Sequence, residues 1–70
     1  MLRLKEIDLS GNKIGTEGMK SLWEPLRGCS VVRLAANNLT KDSSPYISLL
    51  LENNNNITAL FLHLNPFAGG

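Results

Sequence analysis

Apolar and polar positions alternate over three short stretches, around Ile7 and Leu9, Val32 and Leu34, and Leu60 and Leu62. A period of two marks a strand with one buried face, so three short strands are predicted. Between them the period lengthens. Met19, Leu22, Trp23 and Leu26 recur at i, i+3, i+4 and i+7, one apolar face of a helix. Thr16 is placed to cap that helix and Gly28 to end it. Pro25 would cost about 3 kcal/mol inside a regular helix, which predicts a last turn that kinks or loosens. A second helix is predicted from Ser44 as N-cap and Pro45 as first helical residue to about Glu52. Ile47, Leu50 and Leu51 form its buried stripe, with Tyr46 or Leu49 beside it.

The three strand stretches belong to one recurring phrase. It reads Leu4-x-x-Ile7-x-Leu9-x-x-Asn12-x-Ile14, then Cys29-x-x-Val32-x-Leu34-x-x-Asn37-x-Leu39, then Ile57-x-x-Leu60-x-Leu62-x-x-Asn65-x-Phe67. The asparagines are 25 and 28 residues apart. Such a period indicates a stack of similar units, about 4–28, 29–56 and a partial 57–70, each leaning on its neighbours. Each asparagine follows its strand where the chain turns away, and an inward carboxamide can satisfy backbone groups that the bend would bury unpaired. The two helices are in register: Leu22 and Ile47 follow their asparagines at one interval, Leu26 and Leu51 at another. The extra length of the second unit therefore falls in Asn53-Asn54-Asn55-Asn56, which reads as a loop, with functionless slippage the favoured account of the run.

Aligned this way, the chain resembles the leucine-rich repeat. The Gly15-x-x-Gly18 element and the leucines at 22 and 26 are most similar to the ribonuclease-inhibitor-like subclass, as is cysteine at the first core position of the second unit. Thr40 and Ser43 stand where the second unit would carry those glycines, and Pro66 directly follows the third asparagine. The resemblance implies an α/β solenoid arc, with short parallel strands on the concave face and helices on the convex face. It also implies further repeats at both ends, because such arrays need three or more repeats and polar caps. Leu2, Leu4, Phe61 and Phe67 would otherwise leave apolar edges uncovered, so a fragment or a marginal fold is expected.

Charge and composition remove several function classes. Seven basic and six acidic residues leave a net charge of +1, with no electrostatic footprint for nucleic acid or an anionic membrane. One cysteine excludes an internal disulfide framework, and no Cys/His cluster has zinc-ligand spacing. The longest apolar run, Ala59 to Leu62, is too short to span a bilayer. Met1 opens directly into the first phrase without a signal-type segment. Either the protein is intracellular or its natural N-terminus is missing. The cytoplasm is favoured, with an extracellular location as the alternative.

Alternation sorts the outward positions from the core: Glu6, Asp8 and Ser10; Val31, Arg33 and Ala35; Ala59, Phe61 and His63. Strands about 4.8 Å apart would stack these into columns, one of Asp8, Arg33 and Phe61 and another of Ser10, Ala35 and His63. Asp8 and Arg33 would then form an exposed pair, either a partner contact or an ion pair worth about 0.2–1 kcal/mol. Phe61 reads either as a binding anchor or as packing beneath a following repeat. His63, the sole histidine, is best read as a surface residue, and Cys29 as a small buried hydrophobe rather than a nucleophile. Asn38-Leu39-Thr40 and Asn56-Ile57-Thr58 match the glycosylation acceptor pattern, with coincidence favoured because the repeat phrase already fixes each middle residue.

No phosphate-cradling loop, paired acid and base, or nucleophile with a base is present, so no catalytic residue, metal or cofactor is assigned. The expected function is a non-enzymatic protein-interaction module that binds a partner protein through its concave sheet face. The alternatives are a regulatory segment of a GTPase activator or nucleotide-sensing receptor, and a glycosylated extracellular recognition module.

Overall fold

The computed structural model describes residues 5–67. It is a small α/β domain: β1 (Glu6–Asp8), α1 (Gly15–Leu26), β2 (Val31–Arg33), a 3₁₀ turn (Lys41–Ser43) running into α2 (Ser44–Glu52), and β3 (Ala59–Phe61). Leu2 and Leu4, predicted to lie at an uncovered edge, fall outside the described residues. The three strands form one parallel sheet in the order β1-β2-β3. Ile7, Val32 and Leu60 lie in register and face the helices.

The core sits between sheet and helices. Met19, Leu26, Cys29, Val32, Leu34, Leu39, Ile47 and Leu50 are buried there, with Ile7, Leu9, Leu22, Trp23, Leu60 and Leu62 packed around them. Each such side chain, when fully buried, contributes about 1.5–3 kcal/mol. Position in the stack decides how complete that burial is. Val32, Leu34 and Asn37 of the middle unit are wholly enclosed, whereas their equivalents in the outer units are partly open or exposed.

The three asparagines bind the units to one another. Asn37 Oδ1 accepts the backbone N–H of Asn12 at 2.7 Å, and Asn65 Oδ1 accepts those of Asn37 at 2.8 Å and Leu39 at 3.0 Å. Their amide nitrogens donate backwards: Asn37 to Leu9 O at 2.9 Å and Asn65 to Leu34 O at 2.9 Å. The bends that present these groups need left-handed residues. Gly11, Ala36 and Leu64 before the asparagines, and Lys13 and Asn38 after two of them, all have φ between 52 and 75°. Pro66 cannot adopt that conformation, so the third bend departs from the other two.

Four local expectations are corrected. Thr16 does not cap α1, whose N-cap is Ile14 with no side-chain bond; its hydroxyl instead meets Ser43 Oγ at 2.8 Å across the unit boundary. Gly28 does not supply a left-handed cap. The helix stops one residue beyond Pro25 with short-range bonds from Arg27 N–H to Glu24 O and from Cys29 N–H to Leu26 O. Ser44 is the first residue of α2 rather than its cap, because Thr40 and Ser43 start the preceding turn: Thr40 Oγ1 accepts Asp42 N–H, and Ser43 Oγ accepts Thr40 N–H. Leu51 is 44% exposed although its equivalent Leu26 is buried, since α1 packs against α2 and no described residue covers the far side of α2.

The asparagine run is a loop, but not an inert one. Asn53 Nδ2 donates to Leu49 O at 2.8 Å at the end of α2. Asn54 is buried, donates to Cys29 O at 2.9 Å and accepts Asn56 N–H at 2.7 Å. The added length is thereby tied to the preceding unit.

Two substitutions test this framework. Alanine usually stabilises a helix relative to glycine by about 1 kcal/mol, yet a Cβ at Gly18 would stand 2.5 Å from Ile14 Cγ2. The β-branched side chain of Ile14 has little rotameric freedom to yield. Gly18→Ala should therefore lose about 1–2 kcal/mol in urea denaturation, and Ile14→Ala in the same chain should remove that penalty. Asn37→Ala should lose about 2–4 kcal/mol by leaving enclosed backbone groups unpaired. Asn12→Ala, at an exposed position, should lose less than half as much; equal losses would refute the ladder as the source.

Candidate interaction face of the sheet

The face turned away from the helices is built by alternation. Glu6, Val31 and Ala59 form one row across the strands, and Asp8, Arg33 and Phe61 form the next. The predicted column of Asp8, Arg33 and Phe61 therefore exists in register. Ser10 and His63 are exposed beyond it, but Ala35 between them is buried. Flanking units cover it on both sides, and its carbonyl accepts N–H groups from Gly11 and from the Asn37 side chain. Ala35 thus belongs to the bend rather than to the exposed face.

The ion pair also differs from expectation. Arg33 Nε donates to Glu6 Oε2 at 2.8 Å, not to Asp8 directly opposite. Glu6 is a diagonal neighbour, within reach of two long side chains. Asp8 is shorter, and its Oδ1 already accepts Ser10 N–H at 3.0 Å. That bond, the Ser10 hydroxyl and, to a lesser extent, the Arg33 charge hold the Asp8 carboxyl below its ordinary range. The guanidinium carbon of Arg33 lies 4.5 Å from the centre of the Phe61 ring. One side chain therefore links all three strands, by an ion pair on one flank and a cation–π contact on the other.

Phe61 is consequently half-buried beneath Arg33, a position that neither sequence reading anticipated. The residue that sequence reasoning missed is Leu64. It is 78% exposed with φ of 60°, in the left-handed position that Gly11 and Ala36 fill in the other units. The signal was present: a large apolar residue occupies a bend position where its counterparts are small. His63 is exposed, and no group of three or more potential metal ligands converges among the described residues. Asn38 and Asn56 are exposed, whereas the hydroxyls of Thr40 and Thr58 are engaged, with Asp42 N–H and Ser30 O respectively.

Over 71 aligned residues the chain is 37% identical to NACHT, LRR and PYD domains-containing protein 5 of Mus musculus. It is related to an LRR-containing protein. The alignment covers 96% of this chain and 6% of that protein. No protein-family model matches the chain, and no solved structure does.

The charged contact should matter little for stability. Its side chains are 39% and 56% exposed, so a double-mutant cycle of Arg33→Ala and Glu6→Ala should give about 0.2–1 kcal/mol of coupling in urea denaturation. A coupling above about 2 kcal/mol would make the pair a structural element instead.

Proposed function

We propose that the chain is a non-enzymatic protein-interaction segment of a leucine-rich-repeat array, of the ribonuclease-inhibitor-like kind, whose sheet lies on the concave side and receives a partner protein. The observation that carries this reading is the Glu6–Arg33–Phe61 arrangement. It offers an aromatic ring, a fixed guanidinium and two carboxylates, Glu6 and Asp8, on a face the core does not use. Aromatic and arginine side chains are common anchors of protein interfaces, and a pre-formed arrangement reduces the ordering cost of binding. Val31 and Ala59 supply small neighbouring surface, while Ser10 and His63 form its polar margin. The proposed setting is the cytoplasm, with no cofactor or metal.

The relationship to an LRR-containing protein with NACHT and PYD domains favours one second reading: the segment belongs to a multidomain nucleotide-sensing receptor and regulates it through contacts with the rest of that chain. Sequence on both sides of these residues in the parent reading frame discriminates the two, because the second reading requires a nucleotide-binding domain there.

Arg33→Glu and Phe61→Ala should each weaken capture of the partner by about tenfold or more, the scale of an interface hot spot, while the circular dichroism spectrum stays that of the parent. Ser48→Arg, an exposed position on α2, should leave capture unchanged. Partner binding indifferent to both sheet-face substitutions would reject this face.

A further inference from the structure

Leu64 is unusual on two independent grounds. It is 78% exposed, so it contributes little to the core. Its φ of 60° is left-handed, a conformation in which the Cβ of an L-residue crowds the following carbonyl oxygen and glycine or asparagine is preferred. A single exposed leucine is ordinary on a protein surface. An exposed leucine in the backbone conformation that suits it least is not, because neither packing nor local geometry favours it there. Strain kept in the backbone without a packing reason clusters at binding sites.

The position repeats in each unit. Gly11, Ala36 and Leu64 each precede the inward asparagine, with φ of 75, 55 and 60°. They lie in one row across the units, since Gly11 N–H bonds Ala35 O and Ala36 N–H bonds His63 O. Ala36 is exposed although units flank it on both sides. Exposure at this position therefore belongs to the bend and needs no free edge of the sheet. A Cβ placed on Gly11 would meet no atom within 4 Å, so the row is open above its small members and stepped at Leu64. Ser10 and His63 continue it onto the sheet face, and none of these five residues is an acid, a lysine or an arginine.

We propose that this row is a docking strip for an extended apolar segment of a partner protein. The segment's main chain lies over Gly11 and Ala36, and one of its apolar side chains packs against Leu64. Small residues let a main chain approach closely, and the step at Leu64 supplies an apolar contact that fixes where the segment sits. The strip adjoins Ser10 and His63 at the margin of the sheet face, so one partner can occupy both. The inference rests on the reading of the chain as a protein-interaction segment, but not on use of the sheet face itself.

Peptides selected on the chain from a phage-displayed random library are the probe, with urea denaturation of each variant alongside. The expected result is an enriched family of peptides that share an apolar residue. Leu64→Asn should weaken their binding about tenfold or more. It should also leave the urea midpoint at or above that of the parent, because asparagine tolerates left-handed backbone better than leucine. Ala36→Arg, at an exposed position, should weaken the peptides as well, and Lys20→Ala on α1 should not. Binding lost to Leu64→Asn but untouched by Arg33→Glu would uphold the strip and reject the sheet face. Binding untouched by Leu64→Asn but lost to Arg33→Glu would overturn the strip and leave the sheet face standing. No enriched family, a urea midpoint lowered by Leu64→Asn, or self-association through Leu64 in place of peptide binding would also overturn the proposal.

Discussion

The carboxamide of Asn37 is the constraint on which the rest of the structure depends. The residue has no solvent exposure and joins three units: its side-chain oxygen takes a backbone N–H from the first, its side-chain nitrogen donates into the first and into its own bend, and its backbone N–H donates to Asn65 of the third. A chain that bends after only three strand residues withdraws N–H and C=O groups from its ladder. Those groups cost about 1–3 kcal/mol each if buried without partners. A single side chain with two donors and an acceptor meets that requirement, and it must point inward to do so.

The other end of each strand is held by hydroxyl groups. Ser30 Oγ accepts Lys5 N–H at 3.0 Å, and Thr58 Oγ1 donates to Ser30 O at 3.1 Å. Short strands are thus fixed at both ends across unit boundaries, by asparagine beyond one end and by serine or threonine before the other. Between these attachments the units need not be identical. The first begins its helix at Gly15, with φ of 67°, and the second through Thr40 and Ser43. The Gly18 position and its counterpart Ser43 nevertheless serve related ends. Gly18 lets Ile14 approach closely, whereas Ser43 is buried and reaches Thr16 in the neighbouring unit.

Stacking also explains the distribution of burial. Every unit contributes half of each boundary, so the middle unit is enclosed on both sides and the outer two on one. The sheet face away from the helices escapes this division, because no described helix packs against it. There Arg33 is held by charge on one side and by an aromatic ring on the other, and its position is determined by residues 27 and 28 places away in sequence.

The sequence by itself determined the three strands, both helices, the alignment of the strand phrases on one another and the identity of the asparagines. Each follows from a local period or from the alignment of one unit on another, and stacking preserves that alignment in space. Periodicity also separated Ile7, Val32 and Leu60 from Asp8, Arg33 and Phe61. Tertiary structure alone decided what those outward residues touch. Arg33 chose Glu6 over Asp8 because side-chain reach and a competing Ser10 N–H outweigh direct opposition. It decided too that Ala35 is buried, that Leu51 is not, and that Asn54 inside a polar run closes a carbonyl of the preceding unit. Period assigns a residue to a face, but exposure and partner depend on neighbours brought there by the chain's return.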